Sequence, residues 1–205
     1  MDMIMVAMLG AGIYLIGSVP SGYILVRLVK GVDLREAGTK NVGALNAYHQ
    51  IGLWAGLLVL AADAGKGALA VGVPIWTGAP EWAFYVTTPL VVAGHSWPVF
   101  LGFRGGKGAA AILGVSLAML PWLTLMALLP AALAALLIRN VVLGAAFGFV
   151  LLNSLLVVTG QSAQMVALCI LLTLLVTATY LFAIREHVAV SIRSRRWRHL
   201  FLGMA

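Results

Sequence analysis

Charge is what this chain has least of. Only 9% of its 205 residues are Asp, Glu, Lys or Arg, whereas soluble domains carry about a quarter, so a water-facing globular surface is excluded. Cysteine is nearly absent as well. The single Cys169 lies inside an apolar run, which excludes an intrachain disulfide framework and any cysteine-cluster metal site. Acidic residues number six against thirteen basic, for a net charge of +7. A basic excess can signal nucleic acid, but in a chain this apolar the commoner source is Lys and Arg kept on the cytoplasmic side of a membrane. Catalytic signatures are also missing. There is no GxSxG nucleophile elbow, no HExxH, and no histidine followed by x4-Asp, so a serine-type acyl enzyme has little support and neither metal nor cofactor is expected.

Hydrophobic residues make up 62% of the chain, and the mean hydropathy is +1.06. Apolar stretches of roughly 17 to 24 residues, enough to cross a ~30 Å hydrocarbon core, recur from end to end. The pattern predicts an all-α integral membrane protein, one transmembrane domain over 1–205 with a basic tail at about 185–205. Seven transmembrane helices are expected, at 3–26, 53–76, 82–103, 107–120, 122–138, 141–158 and 163–184. The first follows Asp2 rather than a basic segment and is too long for a signal-peptide core, so it reads as a span. Two short spans around Pro121 fit better than one long helix, which would put Arg104 and Lys107 on the opposite side from Arg139.

With these spans, Arg27, Lys30, Arg35, Lys40, Arg104, Lys107, Arg139, Arg185, Arg193, Arg195, Arg196 and Arg198 all fall in alternate connections. The connections near 77–81, Pro121 and Gly160 hold no Lys or Arg. The positive-inside rule then puts the N-terminus outside and the C-terminus in the cytoplasm. Lys66 alone sits inside a span.

Apart from the tail, polar residues gather in three places that this topology brings to the cytoplasmic face. The long loop 27–52 contains GTKNVGALN, from Gly38 to Asn46. Its glycines, Gly43 among them, can leave backbone N–H groups free, and Thr39, Lys40, Asn41 and Asn46 can donate hydrogen bonds to a phosphate. It reads equally as an interfacial connector whose cations answer anionic lipid headgroups. The second place is Asp63 with Lys66, three apart on one helix face. Ionisable residues inside a span are costly enough to mark function. Lys66 either faces a phosphate with Asp63 orienting it, or the two neutralise each other. The third is GHSWPVFLGFRGGKG, from Gly94 to Gly108. Its end, Arg104, Gly105, Gly106, Lys107 and Gly108, reads as an anion cradle opening a helix or as a tight turn with positive-inside residues. A Walker A loop needs a hydroxyl after the lysine, and Gly108 stands there. His95, near the inner end of the third span, either donates to a phosphate or is a hydrogen-bonded structural histidine.

On these blocks, together with GSVPSGY at Gly17 to Tyr23, Asp33-Leu34-Arg35 and Lys66-Gly67, the sequence resembles the bacterial acyl-phosphate:glycerol-3-phosphate acyltransferases. These are small membrane enzymes of phospholipid synthesis. The resemblance implies a seven-helix fold in the bacterial cell membrane with a cytoplasmic-side site. There a fatty acyl group passes from acyl phosphate to the 1-hydroxyl of glycerol 3-phosphate, giving lysophosphatidic acid and phosphate. Membrane lipids are the other expected partners. Thr39, Asn41, Lys107, His95 and His187 would carry catalysis. Lys40, Gly43, Asn46, Asp63, Lys66, Arg104, Gly105, Gly106 and Gly108 would hold substrate. The chain departs from the family pattern where Thr39 stands for Ser, Leu45 for Thr, His49 for Arg, Ala111 for Thr, Val142 for Ser and Val190 for Asn. A transporter or flippase of a phosphorylated small molecule would need polar residues strung through the midplane, and few are present beyond Asn153, Ser154 and the threonines near Thr177. A catalytically inactive paralogue that binds lipid phosphate is the third reading, favoured by Leu45, Val142 and Val190.

Overall fold

The computed structural model describes the backbone of residues 2–193, and side chains over residues 2–183 and at Arg185. Among the described residues every α or strand element is a helix: α1 (Asp2–Ser18), α2 (Ser21–Lys30), α3 (Ala44–Ile51), α4 (Leu53–Trp76), α5 (Phe84–Ser96), α6 (Ala109–Met119), α7 (Pro121–Ile138), α8 (Val141–Val158) and α9 (Ala163–Arg193). Short 3-10 turns lie at Glu81–Ala83 and Val99–Leu101. The chain divides into two compact units, one from Met1 to Met119 and one from Leu120 onward.

Among the described residues five apolar segments are long enough to cross a bilayer: Asp2–Lys30 taken through its break, Leu53–Trp76, Pro121–Ile138, Val141–Val158 and Ala163–Ala183. The expected spans 82–103 and 107–120 are shorter as helices. α5 has 13 residues and α6 has 11, so at 1.5 Å per residue they are about 20 and 16 Å long, against a core of about 30 Å. Between them Pro98 and a run of positive-φ residues, Gly102, Phe103 and Gly108, turn the chain back and forth.

The expected first helix over 3–26 is in fact two. Pro20 has no N–H, and its ring would strike the carbonyl one turn back, so the helix stops at Ser18 and restarts at Ser21. At the break Val19 N–H donates to the Ile16 carbonyl and Ser21 N–H to the Val19 carbonyl. The expected loop 27–52 is also shorter. α2 runs on to Lys30, where Gly31 caps it in the left-handed region, and α3 occupies 44–51.

Glycines set the spacing within the first unit. Gly17 lies on the Val91 carbonyl and Gly94 on that of Tyr14, which joins α1 to α5. Gly67 lies on the Ala111 carbonyl and Gly114 on that of Ala64, which joins α4 to α6. No side chain fits at these four points, so the backbones meet directly, as small residues permit in membrane helix pairs. A separate apolar cluster of Val26, Leu34, Val42, Ala47, Val59 and Leu101 fastens the segment 31–43 over α2, α3 and α4.

In the second unit α7 starts with Pro121 at its first position, where the missing N–H costs nothing. The Asn140 side chain caps α8 by accepting from Val142 N–H at 3.0 Å and Leu143 N–H at 3.1 Å. Asn153 of α8 donates to Thr173 of α9 at 2.9 Å.

Candidate active site

The expected polar residues with described side chains all belong to the first unit. At its centre α4 carries an ion pair, Lys66 Nζ to Asp63 Oδ1 at 2.6 Å, with both side chains buried. Lys66 also donates to the Val19 carbonyl at 2.5 Å and to Ser21 Oγ at 3.3 Å. Ser21 donates its own proton to Asp63 Oδ1 at 2.5 Å. His95 Nδ1 stands 3.7 Å from the same carboxylate oxygen. Asp63, His95, Ser21 and Val42 border a cavity of about 10 Å³ at the helix break, room for about one water. Of the two readings open for this pair, the geometry favours mutual neutralisation: the N–H groups of Lys66 are used inside the protein.

The geometry also bears on Asn46. It is fully buried, and its amide Nδ2 donates to the carbonyls of Leu34, Ala37 and Asn41 at 3.1, 2.9 and 2.8 Å. Its Oδ1 accepts from Thr39 N–H at 3.2 Å. Asn46 therefore closes the segment 34–46 on itself from within and does not present its amide outward. Thr39 and Lys40 are left exposed at the tip, with Asn41 half-buried beside them. Gly38 must be glycine, since φ is +57° and a side chain would land on the Asn46 carboxamide. Upstream, Arg35 grips Asp33 with two hydrogen bonds, 3.0 Å from Nε and 2.7 Å from Nη2, and lies 5.2 Å over the Tyr23 ring. Those bonds from Arg35 hold the Asp33 carboxyl down at about 2.

The third cluster turns on His95. Gly105 N–H donates to the Ser96 carbonyl at 3.2 Å and Gly106 N–H to the His95 carbonyl at 3.0 Å, so these two amides are engaged rather than open to an anion. A side chain at Gly106 would strike Nε2 of the His95 ring. With Asp63 on its other nitrogen, the imidazole is wedged between α4 and the glycine turn. Gly108 then turns the chain at φ +86° into α6, whose first hydrogen bond is Ile112 N–H to the Gly108 carbonyl. The amides of Ala109 to Ala111 belong to the first turn, which has no intrahelical acceptors. Arg104 is exposed and Lys107 half-buried just ahead of that turn. Burial pushes the Lys107 ammonium below the ordinary lysine range.

The structure thus brings Asp63, Lys66, His95 and Gly106 into one contiguous group, and it reveals Ser21 and the Val19 carbonyl as partners that sequence reasoning missed. The signal for them was Pro20 inside an apolar run: a helix broken there exposes carbonyls that need a donor. Gly43 sits at the start of α3 with the Asn41 carboxamide alongside. The side chain of His187, and with it Val190, lies outside the described residues.

A membrane-embedded helical protein with broken helices ending on a buried ion cluster is the class that fold and site define. The glycerol-3-phosphate acyltransferase family model matches residues 6–190, and the chain belongs to that family. A glycerol-3-phosphate acyltransferase of a Synechococcus species is 37% identical over 164 residues, 80% of this chain and 82% of the relative. A glycerol-3-phosphate acyltransferase 2 of Dehalococcoides mccartyi is 42% identical over 119 residues, 58% of this chain. That match spans 56% of the relative's length. Among solved structures the chain is similar to PlsY (YgiH), an integral membrane glycerol 3-phosphate acyltransferase, in its glycerol 3-phosphate form. The TM-score is 0.81 and the identity 32%, covering 97% of this chain and 93% of the other. The lysophosphatidic acid form of PlsY gives 0.79 and 30%.

Proposed function

We propose that this protein transfers a fatty acyl group from acyl phosphate to the 1-hydroxyl of glycerol 3-phosphate, releasing lysophosphatidic acid and inorganic phosphate. The observation that carries the reading is the family match across residues 6–190, together with the likeness over nearly the whole chain to an enzyme solved with glycerol 3-phosphate. Acyl phosphate is an activated mixed anhydride. The hydroxyl oxygen attacks its carbonyl carbon, the bond from that carbon to the phosphate oxygen breaks, and phosphate leaves with the electron pair. The hydroxyl proton passes to a substrate phosphate, so no protein base is required. What the protein must supply is proximity and charge stabilisation.

Thr39, Lys40 and Asn41 at one glycine-rich tip, and Arg104 with Lys107 ahead of the amides of α6, are the groups assigned to the two anionic headgroups and the developing oxyanion. Asn46, Gly105, Gly106 and His95 hold those groups in place, and Gly43 and Gly108 allow backbone approach. His187 is assigned a donating role in catalysis. The distribution of Lys and Arg supports seven crossings of the bacterial cell membrane, with the N-terminus outside and the site open to the cytoplasm.

Replacing Lys107 tests the assignment. Lys107→Ala is expected to lower lysophosphatidic acid formation from acyl phosphate and glycerol 3-phosphate at least about a hundredfold in purified enzyme. Undiminished turnover would remove Lys107 from the mechanism.

A further inference from the structure

Lys66 is spoken for before any substrate arrives. An ammonium carries three N–H bonds, and Lys66 has three protein acceptors: the Val19 carbonyl at 2.5 Å, Asp63 Oδ1 at 2.6 Å and Ser21 Oγ at 3.3 Å. Only 7% of the residue is exposed. Ser21 donates to Asp63 while accepting from Lys66, so ammonium, hydroxyl and carboxylate close a ring.

The acceptors share an origin. Val19 follows the last residue of α1, where the negative end of the helix dipole and the gap at Pro20 leave carbonyls in need of positive charge. Broken membrane helices elsewhere meet that need with a bound monovalent cation held by unwound carbonyls and helix C-termini. The geometry points to Lys66 as a built-in counter-ion that occupies such a cation's place and pins the break between α1 and α2. It is a positioning residue, not a phosphate ligand. This inference rests on the proposed acyl transfer for its kinetic readout only.

The path from Lys66 to the reacting groups is short. Ser21 precedes Gly22, which lies against the Val42 carbonyl and so supports the segment next to Asn41. On the other side Gly67 follows Lys66 and lies on Ala111 at the start of α6, behind Lys107. Releasing Ser21 loosens the first path, while the tight contact of α4 with α6 keeps the second.

The test compares full-length wild type with Lys66→Met, Asp63→Asn and the double variant, purified in detergent and assayed with acyl phosphate and glycerol 3-phosphate. Lys66→Met leaves a buried carboxylate unpaired. Its kcat is expected to fall at least about tenfold, with KM for glycerol 3-phosphate changed no more than about twofold. Removing both charges is expected to recover part of the lost kcat and not all of it, because the uncompensated carboxylate is gone while the Val19 carbonyl still lacks its donor. Added methylammonium is expected to restore part of the activity of Lys66→Ala by entering the vacated place.

A tenfold rise in KM for glycerol 3-phosphate in Lys66→Met, with no recovery in the double variant, would make Lys66 a phosphate ligand and overturn the inference. Should Lys66→Met fail to fold, the double variant decides. Folded with wild-type KM it supports the counter-ion role; unfolded, or folded with raised KM, it refutes it. If wild type itself shows no turnover, the proposed reaction fails. Thermal melting then still reads Lys66: a counter-ion requires the double variant to melt above Lys66→Met and below wild type, and a double variant that melts at or below Lys66→Met overturns the inference.

Discussion

Two glycine-rich segments, 38–46 and 104–108, look alike in composition and are held in opposite ways. The first is gathered by one side chain: Asn46 takes three carbonyls and one amide, and the backbone follows it. The second is gathered by backbone: Gly105 and Gly106 N–H pair with the end of α5, and the Gly106 Cα lies on the His95 ring. In the first case a side chain is indispensable, and in the second its absence is. Glycine content by itself therefore does not identify a phosphate cradle. What matters is which amides are spent as the segment folds on itself: Gly105 and Gly106 are used at the end of α5, whereas the first turn of α6 has no intrahelical acceptors.

The comparison breaks most visibly at Gly106. A methyl group there has no space against the imidazole, so Gly106→Ala is expected to displace Lys107 and reduce acyl transfer by about a hundredfold or more, measured as lysophosphatidic acid released per enzyme. Asn46→Ala tests the other segment. It leaves the Leu34 and Asn41 carbonyls and the Thr39 amide unmet, the Ala37 carbonyl keeping Lys40 N–H, and is expected to cost about 2–3 kcal/mol, read as a lowered melting midpoint of the detergent-purified protein. A result under about 0.5 kcal/mol would show that water replaces the side chain without penalty.

Two pH dependences sharpen the contrast. Burial lowers the Lys107 pKa, so its positive charge is lost below the ordinary lysine range, and activity is expected to decline on the alkaline side. Lys107→Arg should move that decline upward, because guanidinium keeps its proton there. A pH profile unaltered by the substitution would assign the decline to another group. The smallest effect belongs to Asp33, whose pKa in the fold is about 2. A depressed carboxylate stabilises above its unfolded pKa and loses that contribution as pH falls through the folded value. The Asp33 contribution should thus be complete above about pH 4 and fade toward pH 2. The pair is partly exposed, so Asp33→Asn is expected to cost less than about 1 kcal/mol at neutral pH and progressively less as pH falls through about 2. An acid-denaturation series on both proteins measures this.

The membrane class, the helical character and the two helices around Pro121 were legible from hydropathy and proline, and clustered polar residues marked the segments of the candidate site. α4 and α8 run over the stretches that their apolar patterns predict. Other features were not legible. The break at Val19 and Pro20 was hidden by uninterrupted hydropathy on both sides of it, since hydropathy reports where a residue dissolves and not whether its backbone is hydrogen-bonded. The short lengths of α5 and α6 were hidden for the same reason: residues from Trp97 to Phe103 are apolar enough to read as helix although the backbone there turns. For Asn46 and Lys66 the sequence left ligand and structural readings both open, because a polar side chain carries no mark of the direction in which its donors point.

Composition alone placed this chain in a bilayer and picked out the residues worth the cost of burying, because the transfer of charge into hydrocarbon is a local property of each residue. Which of those residues face a substrate and which face one another was decided only by tertiary structure. Hydrogen bonds act over about 3 Å, and the partners of Lys66 lie 45 and 47 residues away along the chain.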